Sequence, residues 1–409
     1  MRVLGLTDHL GNVGGAEISA RTILAGLAVH ESVERVTVVG VDDPDVPRLG
    51  FEEVEVVPVD PPPCADTLPD FAVDLIIERR LARAARRHAP DADVIHAHHR
   101  RSALALARLD VDVPTVATVR DFWPACPISV YHVGGERCTG CEDRLDDCVA
   151  HQGWNGPAEP GVKAYLLAKR RHQRPTLAAL DAAVFIADHL RERLRGTLSL
   201  PERTEVIYNP VEIDTDVDPE QFDGPTFVTA SSLAEAKGVD TAVRAMGRVS
   251  EDYPNARLVV CGDGPLRDEL EALAADIAPG VVEFRGRVPV TEVHAAIAGA
   301  TATVFPSVWD EPFGRVTVES MMLGTPVVGS AVGGIAEVID NEETGVLVPA
   351  GDVGALGEAL CGLCADEERL LALERAGRER GTAFTPGRIT DEHVDWYRSI
   401  FAECERRRT

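Results

Sequence analysis

Short runs rich in valine and isoleucine alternate along the chain with longer segments in which alanine, leucine and arginine recur at helical spacing. This alternation is typical of parallel βα units, in which buried strands are joined by crossover helices. The predicted strands fall into two series. The first begins at Arg2, Val36, Val54, Val94, Thr115, Val184 and Glu205, and the second at Thr226, Ala256, Val281, Thr303, Val327 and Val346.

The two series predict an α/β protein with two domains, each built on a parallel sheet. The segment from Asp214 to Pro225 is acidic and rich in chain-breaking residues, and we place the hinge there. We therefore expect a first domain over residues 1–210, with a cysteine-rich insertion at 121–160, and a second over 211–385. The remaining segment, 386–409, is predicted to be one helix carrying Trp396 and Tyr397.

Composition narrows the possible functions. A net charge of −26 and a pI near 4.8 argue against general nucleic-acid binding, which needs a basic surface. The chain has only three lysines, Lys163, Lys169 and Lys237. An acid-rich, lysine-poor chain indicates a halophilic source, because high salt screens the repulsion between its charges.

No run of about 18 apolar residues is present that would span a bilayer. The first residues are predicted to form a strand rather than a signal peptide, which favours a cytoplasmic location. Nine cysteines, unevenly spread, do not resemble a secreted disulfide framework.

The segment from Glu311 to Glu319 carries the strongest candidate chemistry. Two carboxylates eight residues apart bracket a Pro-Phe-Gly turn at the predicted start of a helix. Pro312 at that start loses no hydrogen bond, and the exposed amides of Phe313 and Gly314 would suit a diphosphate.

This segment, followed by Met321–Val328 and the Gly333-Gly334 pair, resembles the E-x7-E signature of the retaining glycosyltransferases of family 4. The resemblance implies the GT-B fold, in which two Rossmann-like domains face each other across a cleft and a C-terminal helix crosses back to the first domain. It also implies that Glu311 contacts the donor sugar and Glu319 the nucleotide ribose.

Other donor-binding candidates rest on the same resemblance. Gly14 and Gly15 lie in a loop similar to the one that borders the donor phosphates, and Lys237 matches the phosphate-binding lysine. Ser232 replaces the family's arginine, and Arg315 is a candidate substitute. Gly262 and Gly264 resemble the family's G-x-G-P turn, and Arg287 lies in a segment resembling the one that reads the nucleobase. Ordinary βα turns are the alternative for these last two segments.

Arg120 and Asp121 follow a predicted first-domain strand, where many relatives carry a His-Asp pair. Arginine does not lose its proton in proteins, so general-base catalysis by Arg120 is excluded. We expect Arg120 to hold a phosphate or an acidic acceptor and Asp121 to orient it. The candidate catalytic residues are therefore Glu311, Arg120 and Asp121, with His98 and His99 as candidate acceptor contacts.

Cys126, Cys138, Cys141 and Cys148 form a C-x11-C-x2-C-x6-C pattern in a loop-rich segment. Four thiols at this spacing suit a structural zinc ion, and a four-cysteine iron–sulfur cluster uses the same ligands. Unconnected thiols without a metal are the remaining alternative.

Two basic segments stand out against the acidic background, one at 79–87 and one at 163–174. Each is either a solvated helix face or a peripheral contact with the inner face of a membrane.

These observations predict transfer of a sugar from a nucleoside-diphosphate sugar to a hydroxyl of a glycan or lipid-linked acceptor, with no metal required for catalysis. Two alternatives remain: another GT-B enzyme acting on nucleotide sugars, such as an epimerase, and a catalytically degenerate subunit that binds glycans or membranes.

Overall fold

The computed structural model describes residues 1–11, 14–47, 50–51, 53–63, 68–134, 136–154, 156 and 159–408. These residues form two compact units. Unit 1 contains residues 1–134, 138–210 and 386–409, and unit 2 contains residues 135–137 and 211–385.

Unit 1 is built on a seven-stranded parallel sheet with the strand order β3-β2-β1-β4-β5-β8-β9. Its strands are β1 (Arg2–Thr7), β2 (Arg35–Val41), β3 (Glu55–Val59), β4 (Val94–Ala97), β5 (Thr115–Val119), β8 (Ala182–Phe185) and β9 (Arg203–Val206), and the short strands β6 (His132–Val133) and β7 (Glu136–Arg137) lie between β5 and β8 in the chain. Its helices are α1 (Gly15–Val29), α2 (Asp70–His88), α3 (Arg100–Leu106), α4 (Cys141–His151), α5 (Glu159–Gln173), α6 (Asp188–Arg195) and the last helix, α14 (Pro386–Arg408).

Unit 2 is built on a six-stranded parallel sheet with the order β12-β11-β10-β13-β14-β15. Its strands are β10 (Thr226–Ala230), β11 (Arg257–Cys261), β12 (Val282–Gly286), β13 (Ala302–Phe305), β14 (Val327–Ser330) and β15 (Val346–Val348). Its helices are α7 (Val239–Asp252), α8 (Arg267–Ile277), α9 (Val290–Gly299), α10 (Arg315–Leu323), α11 (Ile335–Val338), α12 (Val353–Ala365) and α13 (Glu367–Gly381).

The predicted α/β class is confirmed, and each of the thirteen predicted strand starts lies within two residues of an observed strand start. The central strands are buried because helices cover both faces of a parallel sheet.

The final helix belongs to unit 1, where it packs on α1. Its apolar face inserts Ile389, Val394, Tyr397 and Ile400 into the same core cluster as Leu24. A helical layer of unit 1 is therefore completed by residues that follow residues 211–385 in sequence.

None of the described helices combines the length and apolar character that crossing a bilayer requires.

Candidate active site

The first carboxylate of the E-x7-E segment, Glu311, lies in the loop between β13 and α10 and is paired with a lysine. Lys237 Nζ donates to Glu311 Oε2 at 2.6 Å, and Trp309 Nε1 donates to the same oxygen at 2.8 Å. Lys237 also lies 5.3 Å from the ring centroid of Trp309. The exposed fractions of the two charged side chains are 20% for Lys237 and 13% for Glu311. The pair therefore remains within reach of a ligand.

A glycine allows the lysine loop to approach the acid loop. Gly238 follows Lys237 with a φ of 60° and caps α7. A Cβ at this position would lie 2.2 Å from the carbonyl oxygen of Pro306, which is shorter than any normal contact. Glycine at this position thus satisfies both the left-handed backbone and the close approach that brings Lys237 to Glu311.

The second carboxylate, Glu319, is buried on α10 and faces two nitrogen donors. Arg315 Nε donates to Oε1 at 2.7 Å, and His294 Nε2 on α9 lies 3.6 Å from Oε2. Burial acts to raise the pKa of Glu319, but His294 and the charge of Arg315 outweigh it, so the pKa lies below its ordinary value. Glu319 is therefore held as a carboxylate.

The helix between the two acids starts later than the sequence predicted. Gly314 is the N-cap with a φ of 79°, and α10 begins at Arg315. Pro312 therefore precedes the helix rather than occupying its first turn, because the left-handed Gly314 breaks the helical path between them. Glu319 is the fifth helical residue and lies just over one turn inside the helix.

A cavity of about 350 Å³ in unit 2 lies where β10 and β11 end, and the turn at Gly262 forms part of its wall. It is lined by Ser231, Ser232, Cys261, Gly262, Asp263, Arg287, Val288 and Val293. A Cβ on Gly262 would lie 1.8 Å from the carbonyl oxygen of Ser231, and one on Gly264 would lie 2.5 Å from that of Leu233. The predicted residues Ser232, Gly262 and Arg287 thus share one cavity. Arg287 and Asp263 supply its charges, and the Cys261 thiol stays neutral because burial raises its pKa to about 11.

Arg120 lies at the carboxyl end of β5 in unit 1 and is buried. Its Nε donates to the carbonyl oxygen of His98 at 3.2 Å, and its Nη1 donates to Asn209 Oδ1. Its Nη2 has no hydrogen-bond partner among the described residues. Burial lowers the pKa of Arg120 to about 10, which still leaves the guanidinium charged at neutral pH.

Asp121 accepts a hydrogen bond from the backbone amide of Trp123 at 2.6 Å through Oδ1. Burial raises the pKa of Asp121 to about 6.

Gly14 is the N-cap of α1 and Gly15 its first residue, and a Cβ on Gly15 would meet no atom within 4 Å. The two residues before Gly14, Asn12 and Val13, lie outside the described part of the chain.

Three histidines extend this unit 1 cluster into the core. His96 Nδ1 lies 2.5 Å from the Tyr397 hydroxyl of α14, and its Nε2 lies 2.7 Å from Thr118 Oγ1. The His98 ring stacks on His96 with centroids 4.1 Å apart. Burial holds the pKa of His98 well below its ordinary value, and the pKa of His99 is lowered to about 4. These histidines are therefore neutral, and His96 is a packed core residue.

The four predicted metal-binding cysteines are neighbours in unit 1, and none is in a disulfide. Cys126, Cys138 and Cys148 each raise the pKa of Cys141, which burial and these neighbours bring to about 12. Within the described ranges, however, no group of three or more potential ligand residues is arranged to hold a metal ion. The predicted zinc or iron–sulfur site therefore finds no support in the described residues.

Three of the five cations in the basic segment at 163–174 pair with acids. Lys163 pairs with Glu159 at 2.5 Å and with Asp146 at 2.7 Å, and Arg170 and Arg174 both pair with Glu142. The pairs reduce the positive field that a membrane surface would meet.

Comparison with known proteins agrees with this architecture. The sequence family described as "Glycosyltransferase Family 4" matches residues 13–215, and the family described as "Glycosyl transferases group 1" matches residues 212–380. The chain belongs to the family 4 glycosyltransferases. The two matches meet near Pro210, where the chain passes from unit 1 to unit 2.

Curated relatives of this glycosyltransferase cover much of its length. It is 28% identical to the alpha-maltose-1-phosphate synthase of Mycolicibacterium smegmatis over 77% of this chain and 81% of that protein. It is 35% identical to an uncharacterized glycosyltransferase of Methanocaldococcus jannaschii over 40% of this chain and 46% of that protein.

Solved structures show the same fold. A sucrose-phosphate synthase from Thermosynechococcus elongatus superimposes with a TM-score of 0.73 at 22% identity, covering 98% of this chain and 100% of that one. Anabaena HepE, solved in complex with UDP, superimposes with a TM-score of 0.69 at 17% identity, covering 98% of this chain and 100% of that one.

Two residues at the site of this glycosyltransferase were missed in the sequence. Trp309 stands two positions before Glu311, and an aromatic residue next to an acid pair was the available signal. His294 approaches Glu319 from α9, 25 positions earlier in the chain, and nothing in the local pattern marked it.

Proposed function

We propose that this glycosyltransferase is a retaining enzyme that moves a hexosyl group from a nucleoside-diphosphate sugar to a hydroxyl of a glycan or lipid-linked acceptor. The observation that carries the proposal is the pair of carboxylates on either side of the α10 start, each matched by a cation. Glu311 pairs with Lys237, and Glu319 pairs with Arg315.

A nucleotide sugar has a matching order of groups: sugar hydroxyls, diphosphate and ribose hydroxyls. Glu311 would accept hydrogen bonds from the sugar and Glu319 from the ribose, because carboxylates are strong acceptors. The positive end of α10 and Lys237 would lie near the negative diphosphate. Structures of Anabaena HepE with UDP and with UDP-glucose support a donor of this class.

The proposed reaction replaces the bond from the sugar C1 to the diphosphate oxygen with a bond from C1 to the acceptor oxygen on the same face. The departing diphosphate accepts the proton of the acceptor hydroxyl, so no protein base is required. Arg120 stays charged and does not act as that base. The protein supplies positioning and electrostatic stabilisation of the departing diphosphate.

The acceptor side and location are proposed on the resemblance alone. The acceptor would meet unit 1 near Arg120 and Asp121, with Arg120 binding an anionic group and Asp121 orienting it. The enzyme would be cytoplasmic or bound peripherally at the inner face of a membrane. A flotation assay of the purified protein with vesicles of anionic and of neutral lipid separates these two locations.

The test of the donor site is thermal unfolding of the purified protein in high salt with UDP, GDP, ADP or dTDP. A ligand at a concentration one hundred times its Kd adds about 2.7 kcal/mol of stability, which a melting curve resolves. We expect one nucleotide to raise the Tm of the wild type and to have a much smaller effect on Glu319→Gln. If no nucleotide shifts the wild-type Tm, the transferase proposal is wrong and a non-catalytic subunit is favoured.

A further inference from the structure

A second cation, in addition to Lys237, lies at the start of α10. Arg315 is the first residue of α10 and uses only its Nε to hold Glu319. Its Nη1 is buried and has no hydrogen-bond partner among the described residues. An unpartnered buried guanidinium nitrogen is costly, so it marks a place where a ligand oxygen would be stabilising.

A second unpartnered polar atom lies beside the same helix start. Thr317 is fully buried, and its Oγ1 has no partner among the described residues. This oxygen faces Gly314, since a Cβ built on that glycine would lie 3.4 Å from it. Two donors without acceptors, Arg315 Nη1 and Thr317 Oγ1, therefore adjoin the positive end of one helix.

We infer that Arg315 is the second phosphate-binding cation of this enzyme and a determinant of its preference for nucleoside diphosphates. The inference rests on the proposed function, which places sugar and ribose at Glu311 and Glu319 and hence the diphosphate between them. Ser232 adds no charge in the cavity that it lines. Arg315 supplies the second positive charge.

In this arrangement the two ion pairs exchange partners when the donor binds. Without a ligand, Lys237 neutralises Glu311 and Arg315 neutralises Glu319. When the donor binds, its hydroxyl groups donate to the two carboxylates, and both cations become available to the phosphate oxygens. His294, 3.6 Å from Glu319 Oε2, stays beside the carboxylate that Arg315 leaves. The site exchanges hydrogen-bond partners rather than acquiring an uncompensated charge.

The experiment is calorimetric titration of the full chain in high salt with UDP, UMP and uridine, and in parallel with GDP, GMP and guanosine. The variant is Arg315→Gln. A charge-assisted hydrogen bond contributes about 1.5–3 kcal/mol, so we expect the variant to bind the diphosphate about 10- to 100-fold more weakly. The affinity for the nucleoside should change less than about threefold, since the nucleoside carries no phosphate.

Arg244→Gln is the matched control. Arg244 also pairs with an acid four positions away on a helix, Asp240, but it lies on the exposed surface of α7. We expect this control to bind every probe as the wild type does. Thermal unfolding of each ligand-free variant establishes that it is folded.

A rescue variant sharpens the test. Ser232→Arg in the Arg315→Gln background places a new guanidinium in the cavity that Ser232 lines. Recovery of at least part of the lost diphosphate affinity supports the inference.

Three results would overturn the inference. In the first, Arg315→Gln weakens nucleoside and diphosphate equally, which would mean that Arg315 only orients Glu319. In the second, diphosphate binding is unchanged. In the third, Ser232→Arg restores nothing although the variant is folded. Failure of every nucleotide to bind the wild type is a separate result, because it rejects the proposed function itself.

Discussion

The carboxyl edges of the two sheets carry similar residue types in opposite electrostatic settings. In unit 2, Glu311 and Glu319 each pair with a cation, and the Glu311–Lys237 pair keeps contact with solvent. In unit 1, Arg120 and His98 are buried and keep nitrogen atoms without partners among the described residues. Paired, accessible charges can exchange partners with a ligand at low cost, whereas buried polar groups are fixed by the core around them. We therefore expect substitutions of the paired charges in unit 2 to change donor binding and turnover, and substitutions of the buried polar core of unit 1 to change stability.

The largest expected effect is loss of turnover in Glu311→Gln. The amide cannot accept hydrogen bonds from donor sugar hydroxyls as a carboxylate does, so we expect the rate to fall roughly 100-fold or more, the size of losses seen when one stabilising contact to a reacting group is removed. The measurement is release of nucleoside diphosphate from a nucleotide sugar. Its base is the one that the thermal-unfolding test with UDP, GDP, ADP and dTDP identifies.

Glu271→Gln is its control, because Glu271 forms an exposed pair with Arg267 on α8. Full activity in Glu311→Gln would contradict the expectation that substituting a paired charge of unit 2 changes function. A large fall in the Tm of Glu311→Gln would also contradict the contrast between the two units, since a partly exposed pair should contribute little stability.

The next largest effect is expected for Tyr397→Phe, which tests a buried polar contact of unit 1. Removing the hydroxyl leaves His96 Nδ1 without its partner at 2.5 Å in the core of unit 1. A buried polar group without a partner costs about 1–3 kcal/mol. Thermal or urea unfolding should show this loss, while the affinity for nucleoside diphosphate stays within about twofold of the wild type.

Tyr253→Phe provides the comparison for that measurement. Among the described residues, the Tyr253 hydroxyl reaches only the carbonyl oxygen of Cys361, at 3.4 Å. Its removal should have a smaller effect on stability. Equal losses in the two variants would argue that the His96–Tyr397 contact has no special importance.

A smaller effect comes from the protonation of Asp121. Burial raises its pKa to about 6, above the ordinary value of 3.8, so between these values the native state binds a proton that the unfolded state has lost. The contribution of Asp121 to stability is therefore fully present below about pH 4 and is lost as the pH rises through about 6.

Asp121→Asn removes this dependence and keeps an oxygen for the Trp123 amide. We expect the stability of the variant relative to the wild type to rise by about 1 kcal/mol between pH 4 and pH 7, less than the full shift implies because the residue is partly exposed. Urea unfolding at several pH values measures the difference. A flat difference across this range would show that Asp121 does not titrate there.

The smallest effect is expected on the surface of unit 1. Glu142 is 59% exposed and pairs with Arg170 at 2.5 Å and with Arg174 at 3.4 Å. Exposed pairs contribute about 0–1 kcal/mol, so Glu142→Gln should change the free energy of unfolding by less than about 0.5 kcal/mol. A loss above about 1 kcal/mol would mean that exposed charges matter as much as buried ones in this unit.

The strands, the two-domain organisation and the final helix could be predicted because they depend on local hydrophobic pattern and length. The start of α10 could not, since it depends on the left-handed backbone of Gly314 rather than on Pro312. Partner choice was also beyond the sequence. The pairing of Lys237 with Glu311 was not expected, and His294 reaches Glu319 from another helix. Such contacts depend on how elements pack, which no spacing in the chain reveals.

The position of α14 has a consequence for synthesis of the protein. The core of unit 1 includes Ile389, Tyr397 and Ile400, which are translated only after the whole of residues 211–385. At about 5–20 residues per second, that interval lasts roughly 10–35 s. During this time the nascent first unit leaves bare the apolar surface of α1 that the final helix covers. Unit 2 can complete its own core on the ribosome first, so the half of the protein that is synthesised earlier is the half that finishes folding later.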